Sequence, residues 1–186
     1  MRTVRSFIAI AVAGPLFLAA GCASTNGAGG TANVYVAPGA RDVRRIAVLP
    51  FRAPTELIGA SVSDLFVTEL MKAGRYELIE RGQLSNVLGE TDIRLSGLTQ
   101  NQAVQAGRLA GADAVVIGTV SEYENIAQGG RTRPVVGISV RLIEANTGHV
   151  LWSVDHAGRG NKGETPAQQA RVVVREMVQA LNRRLL

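Results

Sequence analysis

The sequence predicts one α/β domain, a mixed β-sheet packed by helices, in the order β-α-β-α-α-β-β-β-α. Three observations carry this expectation. Short apolar runs alternate with amphipathic stripes through most of the chain. Two Thr-x-x-Gln strings sit where helical stripes begin. Near the end, an Asn-Thr-Gly turn separates two strand patterns, which adds antiparallel pairing to an otherwise alternating order.

The first strand is expected within Arg44 to Phe51, where Ile46-Ala47-Val48-Leu49 is a continuous apolar run between Arg and Pro. Val62, Leu65, Phe66, Leu70 and Ala73 then recur at helical spacing, and Gly74 stops the helix. Tyr76 to Glu80 is a short second strand. Gln83 to Leu88 suggests a further helical turn or two. Thr99 and Gln102 form a capping box at the head of a helix whose inward face is Ala103, Ala106, Leu109 and Ala110. Ala114 to Val120 is a near-continuous apolar strand, and Gln128 to Pro134 is a loop. Val136 to Ile143 alternates as a half-buried strand, Asn146-Thr147-Gly148 is a turn, and Val150 to Val154 is the return strand. Thr165, Pro166 and Gln168 open the last helix. Its inward stripe is Ala167, Ala170, Val174, Met177, Val178, Leu181 and Leu185, while Arg171, Arg175, Arg183 and Arg184 take other positions.

Composition narrows the class. The chain has 186 residues, 46% of them hydrophobic and 19% charged, enough apolar material for one core. Aromatics are only 4%, so that core is mainly aliphatic. A formal net charge of +5 does not by itself call for nucleic acid. One Cys excludes an internal disulfide framework, and two His leave little for a zinc site.

Residues 1–21 read as a leader. Arg2 and Arg5 form a positive start, and Phe7 to Ala20 form an apolar stretch too short for an ordinary spanning helix. Leu18-Ala19-Ala20-Gly21-Cys22 follows and resembles a bacterial lipobox. That resemblance implies acyl chains on the Cys22 sulfur, cleavage before Cys22 and N-acylation of the new terminus. Two arginines leave with the leader, so +5 becomes +3. Residues 22–43 are then the lipidated Cys and a flexible tether, with 44–186 as the folded domain. Ala23 to Ala40 is small, polar and Gly-rich, with a span of roughly 20–25 Å. Ala23, rather than Asp, after the Cys resembles the outer-membrane address of enterobacterial lipoproteins. The Gly27, Gly29 and Gly30 cluster lacks the strand and the Lys-Ser/Thr of a phosphate loop.

Five strings in order now resemble one family. They are Arg45 to Phe51 (RIAVLPF), Leu78 to Leu84 (LIERGQL), Leu95 to Leu98 (LSGL), Gly111 to Val120 (GADAVVIGTV) and Val140 to Ser153 (VRLIEANTGHVLWS). Together, behind a lipobox, they are similar to the CsgG/HfaB family of outer-membrane lipoproteins. The resemblance implies a periplasmic domain with no enzyme activity and no cofactor. Pore-forming members insert two long hairpins that assemble into a barrel. Here only Tyr123 to Pro134 and the polar run His156 to Glu164 stand at those places. A spanning strand needs about 9–11 residues, and a hairpin needs two. The chain therefore resembles the short form of the family, like the LpoB-like activators of penicillin-binding proteins.

Two roles stay open at this level, both by protein–protein interaction in envelope assembly. One is activation of a peptidoglycan synthase. The other is an accessory part in a curli-type secretion or surface-fibre system. Homo-oligomer formation by the domain alone is compatible with either. His149 and His156 lack a surrounding ligand or nucleophile motif, and Ser96 and Ser153 lack an elbow context, so an enzyme is disfavoured. Asp113 reads as a turn-capping carboxylate. The partner-binding candidates are Arg131 and Arg133 on the Gly129–Pro134 loop, and Trp152, for which core packing is the simpler account. The terminal-helix arginines suit acidic phospholipid, a partner or plain solvent.

Overall fold

The computed structural model describes residues 30–79, Leu84, 98–128 and 130–186. Nine elements are assigned among them, named here in chain order: β1 (Asn33–Val36), β2 (Arg45–Val48), α1 (Glu56–Ala73), β3 (Glu77–Ile79), α2 (Gln100–Leu109), β4 (Ala114–Gln128), β5 (Arg131–Glu144), β6 (Val150–Arg159) and α3 (Pro166–Leu185). The predicted order is found from β2 onward, with one strand added in front. Of the expected turn at Gln83 to Leu88, only Leu84 lies inside the described residues, helical and buried.

One sheet of six strands runs β1-β6-β5-β4-β2-β3. β2 pairs parallel with both β3 and β4, and the remaining pairs are antiparallel. Parallel pairing suits β2 because both its faces are covered. Ile46 and Val48 point into the core under α1 and α3, while Ala47 and Leu49 point under α2. α1 and α3 thus share one face of the sheet, and α2 lies on the other.

Asp113 fixes the start of β4 against β2. Its carboxylate accepts the Arg45 amide at 2.8 Å and the Arg44 amide at 3.0 Å. Those hydrogen bonds, Arg45's first, hold the carboxyl below its ordinary range. Both predicted capping boxes form, Thr99 with Gln102 and Thr165 with Gln168. α2 is tied down at its other end by Arg108, which donates to the carbonyls of Ala145 and Asn146 in the β5–β6 turn. In that turn Gly148 takes φ of 76°, as a left-handed turn position requires.

The core under α1 and α3 is organised by aromatics. Phe51 meets Phe66 edge-on, with ring centroids 5.7 Å apart. Phe66 lies 6.4 Å from Trp152. The indole Nε1 of Trp152 donates to the Tyr76 hydroxyl at 3.1 Å. Phe51 fits only because Gly59 of α1 and Gly118 of β4 face it. A Cβ on Gly59 would stand 2.0 Å from the Phe51 carbonyl oxygen, and one on Gly118 would stand 2.7 Å from the Phe51 ring.

Four expectations need correction. The fold begins at Asn33 rather than Arg44. β1 pairs with β6, and the segment after it buries Ala40 and Val43. Arg41 also donates to the carbonyls of Arg184 and Leu185, capping α3. The segment read as tether therefore carries a strand and a cap. Second, of the predicted loop Gln128 to Pro134, Gln128 and Arg131 to Pro134 are strand in a long hairpin, with Gln128 opposite Arg131. Third, β6 continues to Arg159, so the start of the polar run at His156 is strand. In both cases polar residues continue a ladder whose backbone pairing does not need an apolar side chain. Fourth, in α2 Val104 and Gly107 are buried and Leu109 is 64% exposed, while Ala167 of α3 is exposed.

The wedge sets a graded expectation. Gly118→Ala should lower stability by about 1–3 kcal/mol, because a packed ring must move. Gly59→Ala should cost more, since the obstacle is backbone. Urea denaturation of the two variants beside wild type checks the order.

Candidate interaction surface

Paired residues on neighbouring strands share a face of the sheet. The registers therefore set out the face that carries α2. One row is Tyr35, Ser153 and Arg141 beside Ile117; the next is Asn33, Asp155, Ser139 and Thr119. α2 covers only the part of this face over Ala47, Val115 and Ile143. Tyr35, Thr119, Ser139, Arg141 and Asp155 are exposed. Asn33 Nδ2 donates to Asp155 Oδ1 at 3.2 Å across this open half. Where it meets α2, Arg52, Thr99, Gln100, Thr119 and Arg141 line a cleft of ≈ 200 Å³.

Beyond Val135, β5 has lost its β6 partner, because Val135 opposite Arg159 is the last pair. Arg131 to Pro134 pair with Asn125 to Gln128 as an arm, rooted where the Pro134 carbonyl still accepts the Gly160 amide at 2.8 Å. Four residues per strand give it a reach of about 13 Å. Gly130 turns the tip with φ of 71°. Arg131 is exposed on the arm and Arg133 is half-buried. Tyr123 packs at the arm's base, and burial pushes its hydroxyl pKa up. The Gly129-Gly130 pair between two strand patterns was the signal that could have found this hairpin.

The arm thus brings Arg131 and Arg133 together on one face, as the register requires. Trp152 does not join them. It is 0% exposed, so it is a core residue and not a surface anchor. His149 is exposed, whereas His156 is buried on β6 with Nε2 2.7 Å from Glu176 Oε2 of α3. Cys22 lies outside the described residues. Among the described residues, no three His, Cys, Asp or Glu side chains gather as a metal cage, and no helix is long and apolar enough to cross a membrane. This surface consists of hydrogen-bonding and cationic groups on a rigid sheet and an arm, which suits recognition of another macromolecule.

Reversing charge on the arm should separate folding from recognition. Arg131→Glu, at the exposed arginine, should leave stability nearly unchanged, within about 0.5 kcal/mol, as for other surface changes. Capture of a native partner in cell extracts should fall at least several-fold.

A family model described as curli production assembly/transport component CsgG matches residues 33–185. Among solved structures, the chain is similar to the PelC dodecamer from Paraburkholderia phytofirmans. In a point variant of that protein, 22% of residues are identical and the TM-score is 0.60, covering 83% of this chain and 98% of that one. Lipoprotein GNA1162 from Neisseria meningitidis is 17% identical with a TM-score of 0.57, covering 75% of this chain and 99% of that one. No curated protein sequence matches the chain. The matched segment starts at the first residue of β1 and ends at the last residue of α3. With the whole described sheet and all three described helices inside that segment, the chain belongs to the CsgG family.

Proposed function

We propose that this chain is a lipid-anchored accessory protein of the bacterial envelope, held at the outer membrane by acyl chains on Cys22. It faces the periplasm and acts without catalysis, by protein–protein contact within an assembly or secretion machinery. The observation that carries this reading is the family match across the entire fold. The PelC dodecamer supports a further step, that copies of this chain assemble with one another. A closed ring needs two different, complementary surfaces on each copy. Two strands, β1 and β3, stand at opposite edges of the described sheet.

Two features bear on the role: the arm argues against a pore, and the tether favours an accessory of secretion or fibre assembly over a synthase activator. The arm has four residues per strand, against the about 9–11 that a spanning strand needs. This hairpin is therefore too short to supply a pore. The tether is also shorter than its composition suggests, because β1 begins at Asn33. Ten residues, 23–32, reach at most about 36 Å, which limits how far the domain stands from its membrane.

Crosslinking and pull-down from intact cells, with tagged wild type beside Cys22→Ser, tests the reading. Secretion or fibre components should be enriched together with further copies of the chain, and the Cys22→Ser variant should lose them. Enrichment of a penicillin-binding protein would instead support the peptidoglycan-synthase role. Recovery of neither class would contradict both.

A further inference from the structure

We infer that the outward face of α3 is a docking surface for phospholipid headgroups of the membrane that holds Cys22. The inference rests on the anchored reading above. Arg171, Arg175, Gln179 and Arg183 are spaced four residues apart, so they lie along one line of the helix. All four are exposed, while Ala170, Val174, Met177 and Leu181 on the opposite side are buried. α3 carries four arginines and a single acid, Glu176. That acid is engaged, with Oε2 2.7 Å from Nε2 of His156. Arg171, Arg175 and Arg183 form no ion pair among the described residues. The neighbouring helix α1 has the opposite balance, with Glu56, Asp64 and Glu69 against Lys72. The helical layer is therefore polarised, and α3 is its cationic side.

The root of the tether points the same way. The chain enters the fold alongside α3. Gly30, Thr31 and Ala32 line a pocket of ≈ 180 Å³ with Glu176, Gln179 and Arg183. Thr31 to Val34 line an adjoining one of ≈ 380 Å³ with Arg183 and Arg184. The tether thus leaves from the arginine-bearing flank, with only residues 23–32 between it and the acylated Cys. A leash of at most about 36 Å limits how far this flank stands from the bilayer. Within that reach the guanidinium groups can come inside a Debye length of the anionic surface, about 8–10 Å, and pair with phosphate oxygens bidentately. Acyl chains would hold the protein to the membrane, and the α3 arginines would set which side of it faces down.

The test uses the lipidated full chain in vesicles. Acylation consumes the native thiol, so a single reporter cysteine can be labelled with a fluorophore. Gln179→Cys places it on α3. Gln105→Cys places it on α2, across the sheet and about 20 Å away by layer spacing. Vesicles contain phosphatidylcholine alone or with one part in three phosphatidylglycerol, and each carries a headgroup quencher. Quenching at position 179 should exceed that at 105 at least two-fold in the anionic vesicles. The difference should vanish in uncharged vesicles and in about 0.5 M salt, where charges are screened. Arg171→Glu, Arg175→Glu and Arg183→Glu combined should abolish it while the chain stays anchored. Equal quenching at both positions in anionic vesicles overturns the inference. So does shielding of position 179 in detergent without vesicles, which would mean that a second copy's acidic α1 covers α3. A chain recovered with Cys22 unmodified overturns the anchor. The lipid surface is then upheld or overturned by whether that chain still sediments with the anionic vesicles.

Discussion

Phe51, wedged between Gly59 and Gly118, locks the helices to the sheet. It joins the segment after β2 to α1 on one side and to the middle of β4 on the other. Through Phe66 the contact passes to Trp152 of β6, and through the indole N–H to Tyr76 before β3. The chain has few aromatics, yet four of them form this one row. The rest of the core is Ala, Val, Leu and Ile, which fill space without fixing orientation as ring edges do. The aromatic row therefore sets how far α1 stands from the sheet. The two glycines are part of the same constraint, because interiors are too closely packed to admit another carbon.

That constraint decides what is left for function. With α1 and α3 committed to one face, the other has α2 and Leu84 as its described cover, over its parallel end. The antiparallel end stays open and polar, from Tyr35 across Ser153 to Arg141. The β4–β5 arm extends the same ladder past the last β6 pair. Polar side chains cost little towards its tip, where Arg131 and Thr132 are exposed. The sheet thus divides its residues: apolar ones inward, hydrogen-bonding and charged ones outward.

Signals that are local in sequence were legible. Both capping boxes and the Asn-Thr-Gly turn are complete within a few residues, so their partners could be named from spacing alone. Asp113, read as a turn cap, shows the limit of such signals, since its carboxylate accepts the Arg44 and Arg45 amides, 69 and 68 residues away. Partners far apart in sequence were not legible. β1 is four residues in a Gly-rich stretch, and only its pairing with β6, more than a hundred residues on, makes it a strand. Arg131 and Arg133 were found, but as loop residues, because the arm is held by backbone pairing and not by apolar alternation. Trp152 was ambiguous since a strand residue of that size suits both a core and an interface. Its partners Phe66 and Tyr76 are the deciding fact, and both are remote in sequence.

An acylated Cys22 anchoring a self-assembling CsgG-family domain is what the proposed function requires above all. Native mass spectrometry of the protein, extracted intact from outer membranes in mild detergent, reads both halves of that requirement at once. A discrete oligomer is expected, with subunits that begin at Cys22 and carry acyl chains on it. Monomers that retain residues 1–21, or that begin at Cys22 without added lipid mass, would contradict it.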